Sequence, residues 1–127
     1  MSTEPFSCGL DAALAVISGK WKPLILFHLA HETHRYGALK RSVRGVSDKV
    51  LIQQLKELEA DGIVTRKDYQ EIPPRVDYTL TDFGLSLARA LKPLCAWGEQ
   101  HAPAVAAIVE GRIRGGSVPP LSARRRT

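Results

Sequence analysis

Six basic side chains occur within residues 35–56 and could together neutralise several phosphate groups. They are Arg35, Lys40, Arg41, Arg44, Lys49 and Lys56. Asp48 is the only acidic residue among them, whereas residues 1–110 as a whole carry 13 basic and 13 acidic residues. Positive charge gathered on one short segment of an otherwise neutral body is typical of a protein that docks on nucleic acid.

The pattern of residues 47–62 predicts the helix that would present part of this charge. Ser47 is a favoured N-cap residue, and Gly62 can end the helix in a left-handed conformation. One narrow apolar stripe is formed by Leu51, Leu55 and Leu58. The opposite face carries Lys49, Gln53 and Lys56. Leucines would hold this helix to a core while long polar side chains point away, as a recognition helix requires.

The elements around this helix complete a known arrangement. Apolar spacing predicts helices over residues 9–19, 22–31 and 36–43 before it. It also predicts a long helix after Thr81, with one stripe that runs from Leu87 to His101. Residues 63–68 and 75–81 are rich in β-formers, and the loop between them contains Pro73 and Pro74, which suit a hairpin tip. A hairpin directly after a helix-turn-helix is a wing. We therefore expect an α+β fold, mainly α with a small β wing: a winged helix-turn-helix.

Length and composition limit the organisation and the cellular setting. A chain of 127 residues is long enough for one domain. We expect a flexible start over residues 1–7, the winged helix over 8–110, and a disordered basic tail over 111–127. No membrane-spanning stretch or export signal is recognisable, and two cysteines make no disulfide framework. These features favour a cytoplasmic, nucleoid-associated protein.

Motifs for catalysis and metal binding are missing from the sequence. We find no Gly-rich phosphate loop, no paired-carboxylate spacing and no nucleophile motif, so an enzyme is not expected. His28 and His31 are spaced like two ligands on one helix, but no third ligand follows at a recognisable spacing. We therefore expect neither a metal nor a cofactor.

Several short stretches, in order and with consistent spacing, resemble one family. They are Cys8, Gly19-Lys20-Trp21, Arg35-Tyr36-Gly37-Ala38-Leu39, Ser47-Asp48-Lys49-Val50-Leu51, Leu55-Lys56-Glu57-Leu58-Glu59-Ala60-Asp61-Gly62, Pro73-Pro74-Arg75-Val76-Asp77-Tyr78-Thr79-Leu80-Thr81 and Trp97-Gly98. Over residues 8–101 the chain is similar to the HxlR-type bacterial winged-helix regulators. The resemblance implies a homodimer whose first and last helices form the interface, bound to a near-palindromic operator in double-stranded DNA. Some members sense oxidants or electrophiles through the N-terminal cysteine, and others respond to small ligands.

The candidate DNA contacts lie on the helix-turn-helix and on the wing. They are Arg35, Tyr36, Arg41, Arg44, Ser47, Lys49, Gln53, Lys56, Lys67 and Arg75. The same side chains could simply form the solvated face of an amphipathic helix and of a surface strand. The local charge excess and the adjacent wing favour DNA contact instead.

Cys8 leaves two interpretations open. A free cysteine often packs as a small apolar residue, but a position just ahead of a helix favours the thiolate form and hence a redox sensor. Cys95 fits packing in the last helix better. Two alternatives to a redox-responsive regulator remain. One is a ligand-responsive regulator of the same fold; the other is a winged-helix protein-interaction module with unspecific nucleic-acid contact through its arginine tail.

Overall fold

The structure is a computed structural model that describes residues 5–115. The helices are α1 (Gly9–Ile17), α2 (Trp21–Leu29), α3 (Tyr36–Ser42), α4 (Asp48–Ala60), α5 (Asp82–Gln100) and α6 (Ala102–Ile113). The strands are β1 (His34–Arg35), β2 (Val64–Asp68) and β3 (Val76–Leu80). The chain divides after Leu91, within α5, into two compact units. The expected fold class, mainly α with a small β wing, is confirmed.

The three strands form one antiparallel sheet in the order β1-β3-β2. Strands β2 and β3 pair from Val64 opposite Leu80 to Asp68 opposite Val76. Together with the loop between them they form the wing, residues 64–80. The two residues of β1 pair with the other edge of β3 and were not predicted, so the sheet reaches back to the start of α3.

The core of the first unit lies between α2, α3, α4 and the sheet. Helix α2 is central, and Ile25 and Leu26 are fully buried. Phe27 is an exception on this apolar helix, because its ring is exposed and packs edge-on against the rings of His28 and His31. The three leucines predicted to anchor the recognition helix, Leu51, Leu55 and Leu58, are all buried.

The ends of α4, the recognition helix, follow the local signals in the sequence. The Ser47 hydroxyl accepts a hydrogen bond from the Val50 amide at 3.2 Å, which confirms the N-cap. The turn from α3 contains Gly45 at a φ of 90°, and α4 is followed by Gly62 at a φ of 75°. Both values lie in the left-handed region that glycine enters without strain. These caps set the length and direction of the helix.

The start of α5 is fastened to the start of the wing. The Thr81 hydroxyl accepts a hydrogen bond from the Gly84 amide at 2.9 Å and lies 2.7 Å from the Gly62 carbonyl oxygen. A Cβ atom at Gly84 would overlap the carbonyl oxygen of Ile63. Only glycine lets the helix approach the backbone this closely.

The C-terminal boundary differs from the one expected. His101 separates α5 from α6, whereas one continuous helix was predicted through that residue. Helix α6 ends at Ile113, so residues 111–113 are helical and do not belong to the predicted disordered tail. The remaining tail residues 116–127, and residues 1–4 of the predicted flexible start, lie outside the described part.

No single helix in residues 5–115 is long and apolar enough to cross a membrane. Helices α1 and α2 reach that length and hydropathy only as a pair bent by 87°.

Candidate nucleic-acid interface

Helices α3 and α4 are joined at their N-terminal ends by a side-chain hydrogen bond. The Tyr36 hydroxyl donates to Asp48 Oδ1 at 2.6 Å. Partial burial and this hydrogen bond raise the pKa of Tyr36 to about 12. The hydroxyl proton of Tyr36, a predicted DNA contact, is therefore already used in a hydrogen bond within the protein. Through this bond Tyr36 links α3 to α4.

The outward face of α4 carries the three residues expected there. Lys49, Gln53 and Lys56 are all exposed, opposite the buried leucine stripe. The side chain of Gln53 is not free, however, because its Nε2 donates to Glu57 Oε2 at 2.9 Å. Lysine and amide groups of this length suit the donor and acceptor edges of bases in the major groove.

Glu57 connects this outward face to the core. Its Oε1 accepts from Lys22 Nζ of α2 at 2.6 Å, and the Lys22 side chain is nearly buried. Hydrogen bonds from Gln53 and from Lys22 lower the pKa of the Glu57 carboxyl. Sequence reasoning assigned no role to Lys22 or Glu57. The only sequence signal was the i, i+4 spacing of Gln53 and Glu57.

The other helix-turn-helix candidates take different positions. Arg41 and Arg44 are exposed on α3 and in the turn after it. Arg35 lies on β1 opposite Asp77 of β3. Ser47 acts as the N-cap of α4, so the lone pair that accepts from Val50 is not available to a phosphate. Of these residues, Ser47 has the clearest structural role, because its hydroxyl caps α4.

The wing holds its two predicted contacts against an aromatic ring. Lys67 Nζ lies 4.7 Å and Arg75 Cζ 4.1 Å from the centroid of the Tyr69 ring. Arg75 also donates from Nη2 to Asp77 Oδ2 at 3.1 Å. This hydrogen bond lowers the pKa of Asp77 and raises that of Arg75. The wing cations are therefore pre-oriented by neighbours in the same hairpin.

A groove of about 950 Å³ runs between α3, α4 and the sheet. Five of the predicted contacts line it: Arg35, Tyr36, Arg41, Lys56 and Arg75. Arg66 adds a further cation, while Glu32 and Glu59 are the acids in its lining. The fold thus gathers cations from α3, α4, the sheet and the wing loop into one concave, positively charged surface. Its lining does not include Lys49, Gln53, Arg44, Ser47 or Lys67.

Cys8 lies at the N-cap position of α1 and is exposed. The nearby backbone amides of Asp11 and Leu10 lower the pKa of its thiol. Cys95 is half-exposed, and its Sγ lies 3.8 Å from Glu99 Oε1. Among residues 5–115 Cys8 therefore has the surroundings expected of a reactive thiolate, and Cys95 is less buried than a packing role predicted.

The histidines near α2 make local contacts. His31 Nδ1 lies 2.9 Å from the Phe27 carbonyl oxygen, and His34 Nδ1 lies 2.8 Å from that of Glu32. Burial is the main cause that lowers the pKa of His28, and the nearby His34 and His31 add to it. Within the described residues, no three histidine, cysteine or acidic side chains are arranged to hold a metal ion.

Comparison with known proteins places this surface in a family. A family model described as HxlR-like helix-turn-helix matches residues 16–106. An uncharacterized HTH-type transcriptional regulator of Bacillus subtilis, YtcD, is 46% identical over 101 residues, which are 80% of each chain. The redox regulator HypR in its reduced form has a TM-score of 0.72 at 35% identity, covering 79% of this chain and 99% of its own. Diamide-treated YodB of B. subtilis has a TM-score of 0.60 at 32% identity, covering 73% and 93%.

The match covers the helix-turn-helix and the wing, which together build the basic groove, and it continues through α5. The related chains are transcriptional regulators by name. The chain belongs to the HxlR-like helix-turn-helix family and is a transcriptional regulator of the helix-turn-helix type.

Proposed function

We propose that the protein is a homodimeric, sequence-specific regulator that binds a near-palindromic operator in double-stranded DNA, in the cytoplasm and at the nucleoid. The observation that carries the proposal is the outward face of α4, with Lys49, Gln53 and Lys56 exposed beside a groove rich in cations. A helix of this kind can enter the major groove while the wing follows the backbone.

The contacts divide into two classes. Lys49 and Gln53 suit base edges, because an ammonium can reach guanine acceptors and an amide can pair with adenine. The remaining cations suit phosphates, which fix register without reading sequence. They are Arg35, Arg41, Arg44, Lys56, Lys67 and Arg75.

The dimer is supported by apolar side chains that remain in solvent. Leu10 and Leu14 of α1 are 68% and 49% exposed. In the second unit Leu94, Trp97 and Ile113 are exposed as well. Leu10 and Leu14 lie one helical turn apart on α1, and contiguous apolar exposure of this kind marks interaction surfaces. A two-fold dimer through α1 and α5, near residues 8–18 and 83–105, would set the two recognition helices about 34 Å apart, one turn of DNA.

Selection of bound fragments from random DNA, followed by a salt titration, tests this function. A specific regulator should enrich one near-palindromic sequence and keep its preference for that sequence as salt rises. A protein-interaction module with unspecific contact through its arginine tail should enrich no sequence and should lose all DNAs equally. A variant truncated after Gly115 is the matched control, since it removes three of the tail arginines.

Regulation by oxidation is a second candidate, favoured by the exposed Cys8 and its lowered pKa. Similar structures are described as redox regulators. The Cys8 thiolate would attack hydrogen peroxide, displace hydroxide and become a sulfenic acid. Added bulk at the N-cap of α1 would then tilt the proposed interface and move the recognition helices out of register.

Operator binding before and after peroxide treatment separates this candidate from regulation by a small ligand. Wild type and Cys95→Ser should lose operator affinity on oxidation, whereas Cys8→Ser should not. Equal responses from wild type and Cys8→Ser would leave Cys8 as a packing residue and favour a ligand-responsive regulator.

A further inference from the structure

The buried ammonium of Lys22 requires a partner inside the fold. Lys22 is 7% exposed and lies on α2, next to fully buried residues of the core. A charged group in such surroundings is costly unless it is paired and hydrogen-bonded. Its nearest carboxylate oxygen, Glu57 Oε1, is 2.6 Å away on α4. The position of the Glu57 carboxylate is thus fixed from within the core.

The other oxygen of the same carboxylate fixes the side chain of Gln53. Glu57 Oε2 accepts from Gln53 Nε2 at 2.9 Å. An ionised carboxylate is an acceptor only, so the nitrogen of the amide, and not its oxygen, must face it. The hydrogen bonds from Gln53 and Lys22 also keep the pKa of Glu57 below its usual range, which preserves the ionised form.

This arrangement determines what Gln53 presents to solvent. An amide alone on a helix surface can rotate by half a turn and exchange its donor and acceptor ends at little cost. Here one of the two N–H groups is bonded to Glu57, which leaves Oε1 and one N–H. Adenine offers a matching donor and acceptor, N6–H and N7, in the major groove.

We propose that Lys22 and Glu57 are a positioning pair that fixes the amide of Gln53 and thereby sets the base preference at one operator position. The inference rests on the proposed function, because Gln53 must reach a base for its orientation to matter. Lys22 and Glu57 need not touch DNA themselves.

The test measures the dissociation constants of the full chain for the selected operator and for variants of it carrying each base pair at the position that Gln53 reads. Glu57→Gln replaces the acceptor with an isosteric amide that can either donate or accept, so both orientations of Gln53 become available. Lys22→Met combined with Glu57→Gln keeps the net charge and removes the buried unpaired ammonium, which protects the fold. Asp61→Asn, at the exposed end of α4, is the control for the charge change of the single variant.

We expect a bidentate amide–adenine pair in wild type to discriminate by roughly 5- to 100-fold, and Gln53→Ala to abolish that preference. Glu57→Gln and the double variant should lower the discrimination ratio by at least about threefold while unspecific binding to DNA persists. Asp61→Asn should shift the affinity for all sequences together and leave the ratio as in wild type.

Three results are adverse and can be told apart. If both Glu57 variants keep the wild-type ratio while Gln53→Ala loses it, the positioning role is wrong and base readout by Gln53 stands. If Gln53→Ala also keeps the ratio, the inference is overturned although the operator is still recognised. If wild type prefers no sequence at all, the proposed function itself fails.

Discussion

Two amphipathic helices of the first unit, α4 and α1, differ in the burial of their leucines. The three leucines of α4 are buried, and Leu55 is only 1% exposed. In α1 only Ile17 is buried, while Leu10 and Leu14 face solvent. The apolar face of α4 is thus satisfied by its own chain. The apolar face of α1 is not covered by its own chain. We propose that a second copy of the protein covers it.

The largest expected effect is a loss of stability when a buried leucine of α4 is shortened. Leu55→Ala should lower the free energy of unfolding by about 2–5 kcal/mol, because it leaves a cavity in a packed core. Leu10→Ala is the matched substitution in α1 and should change that free energy by no more than about 0.5 kcal/mol in the monomer. Urea denaturation at low protein concentration measures both. Similar losses from the two variants would remove the distinction between the helices.

Substitution of an exposed leucine of α1 should instead weaken dimerisation. Leu14→Ala should weaken dimerisation by about 1–3 kcal/mol, since a leucine side chain would no longer be buried between copies. Sedimentation equilibrium of wild type and variant gives the two dissociation constants. Ala60→Ser, at an exposed position at the end of α4 and outside the proposed interface, is the control and should leave dimerisation unchanged. A wild type that stays monomeric at micromolar concentration would contradict the proposed dimer.

A smaller effect is expected in the wing, which follows α4, where loss of a cation should weaken DNA binding. Arg75→Ala should weaken binding to all DNA sequences alike and reduce the slope of log affinity against log salt by about one unit, as one phosphate contact is lost. Lys20→Ala removes the same charge from an exposed position before α2, outside both the groove and the proposed interface, and should leave the slope nearly unchanged. A sequence-dependent loss in Arg75→Ala would mean that this arginine reads bases.

The smallest effect concerns pH. The folded-state pKa of Asp77 lies below its usual value of 3.8 because of the hydrogen bond from Arg75. The stabilisation is therefore fully present above pH 3.8 and is lost as the pH falls through the lowered folded-state value. Thermal unfolding of wild type and Asp77→Asn should differ at pH 7 and converge at more acidic pH. A gap that widens in acid would contradict this sign.

Local signals account for what could be predicted. The limits of α4 follow from Ser47 and Gly62, and its polarity follows from the leucine spacing, so the position of Lys49, Gln53 and Lys56 was accessible from the sequence. The two-residue strand β1 is too short to leave a pattern, because it is extended only through pairing with β3. The split at His101 was missed because the apolar stripe continues up to that residue.

The inner part of the candidate site depends on contacts that no local pattern encodes. Lys22 and Glu57 are 35 residues apart, and their ion pair exists only because α2 and α4 pack together. Likewise, the sequence placed Arg75 on the wing but did not indicate that Tyr69 and Asp77 would hold it. The residues that contact a ligand can be proposed from spacing, whereas the residues that aim them require the fold.

The close approach at Gly84 has a mechanical consequence. Because the first turn of α5 touches the Ile63 backbone and Thr81 bridges to Gly62, there is no slack between the end of α4, the root of the hairpin and the start of the long helix. A force that shifts the first turn of α5 must therefore carry the wing and the C-terminal end of the recognition helix with it. These contacts join the three segments so that they move as one rigid unit.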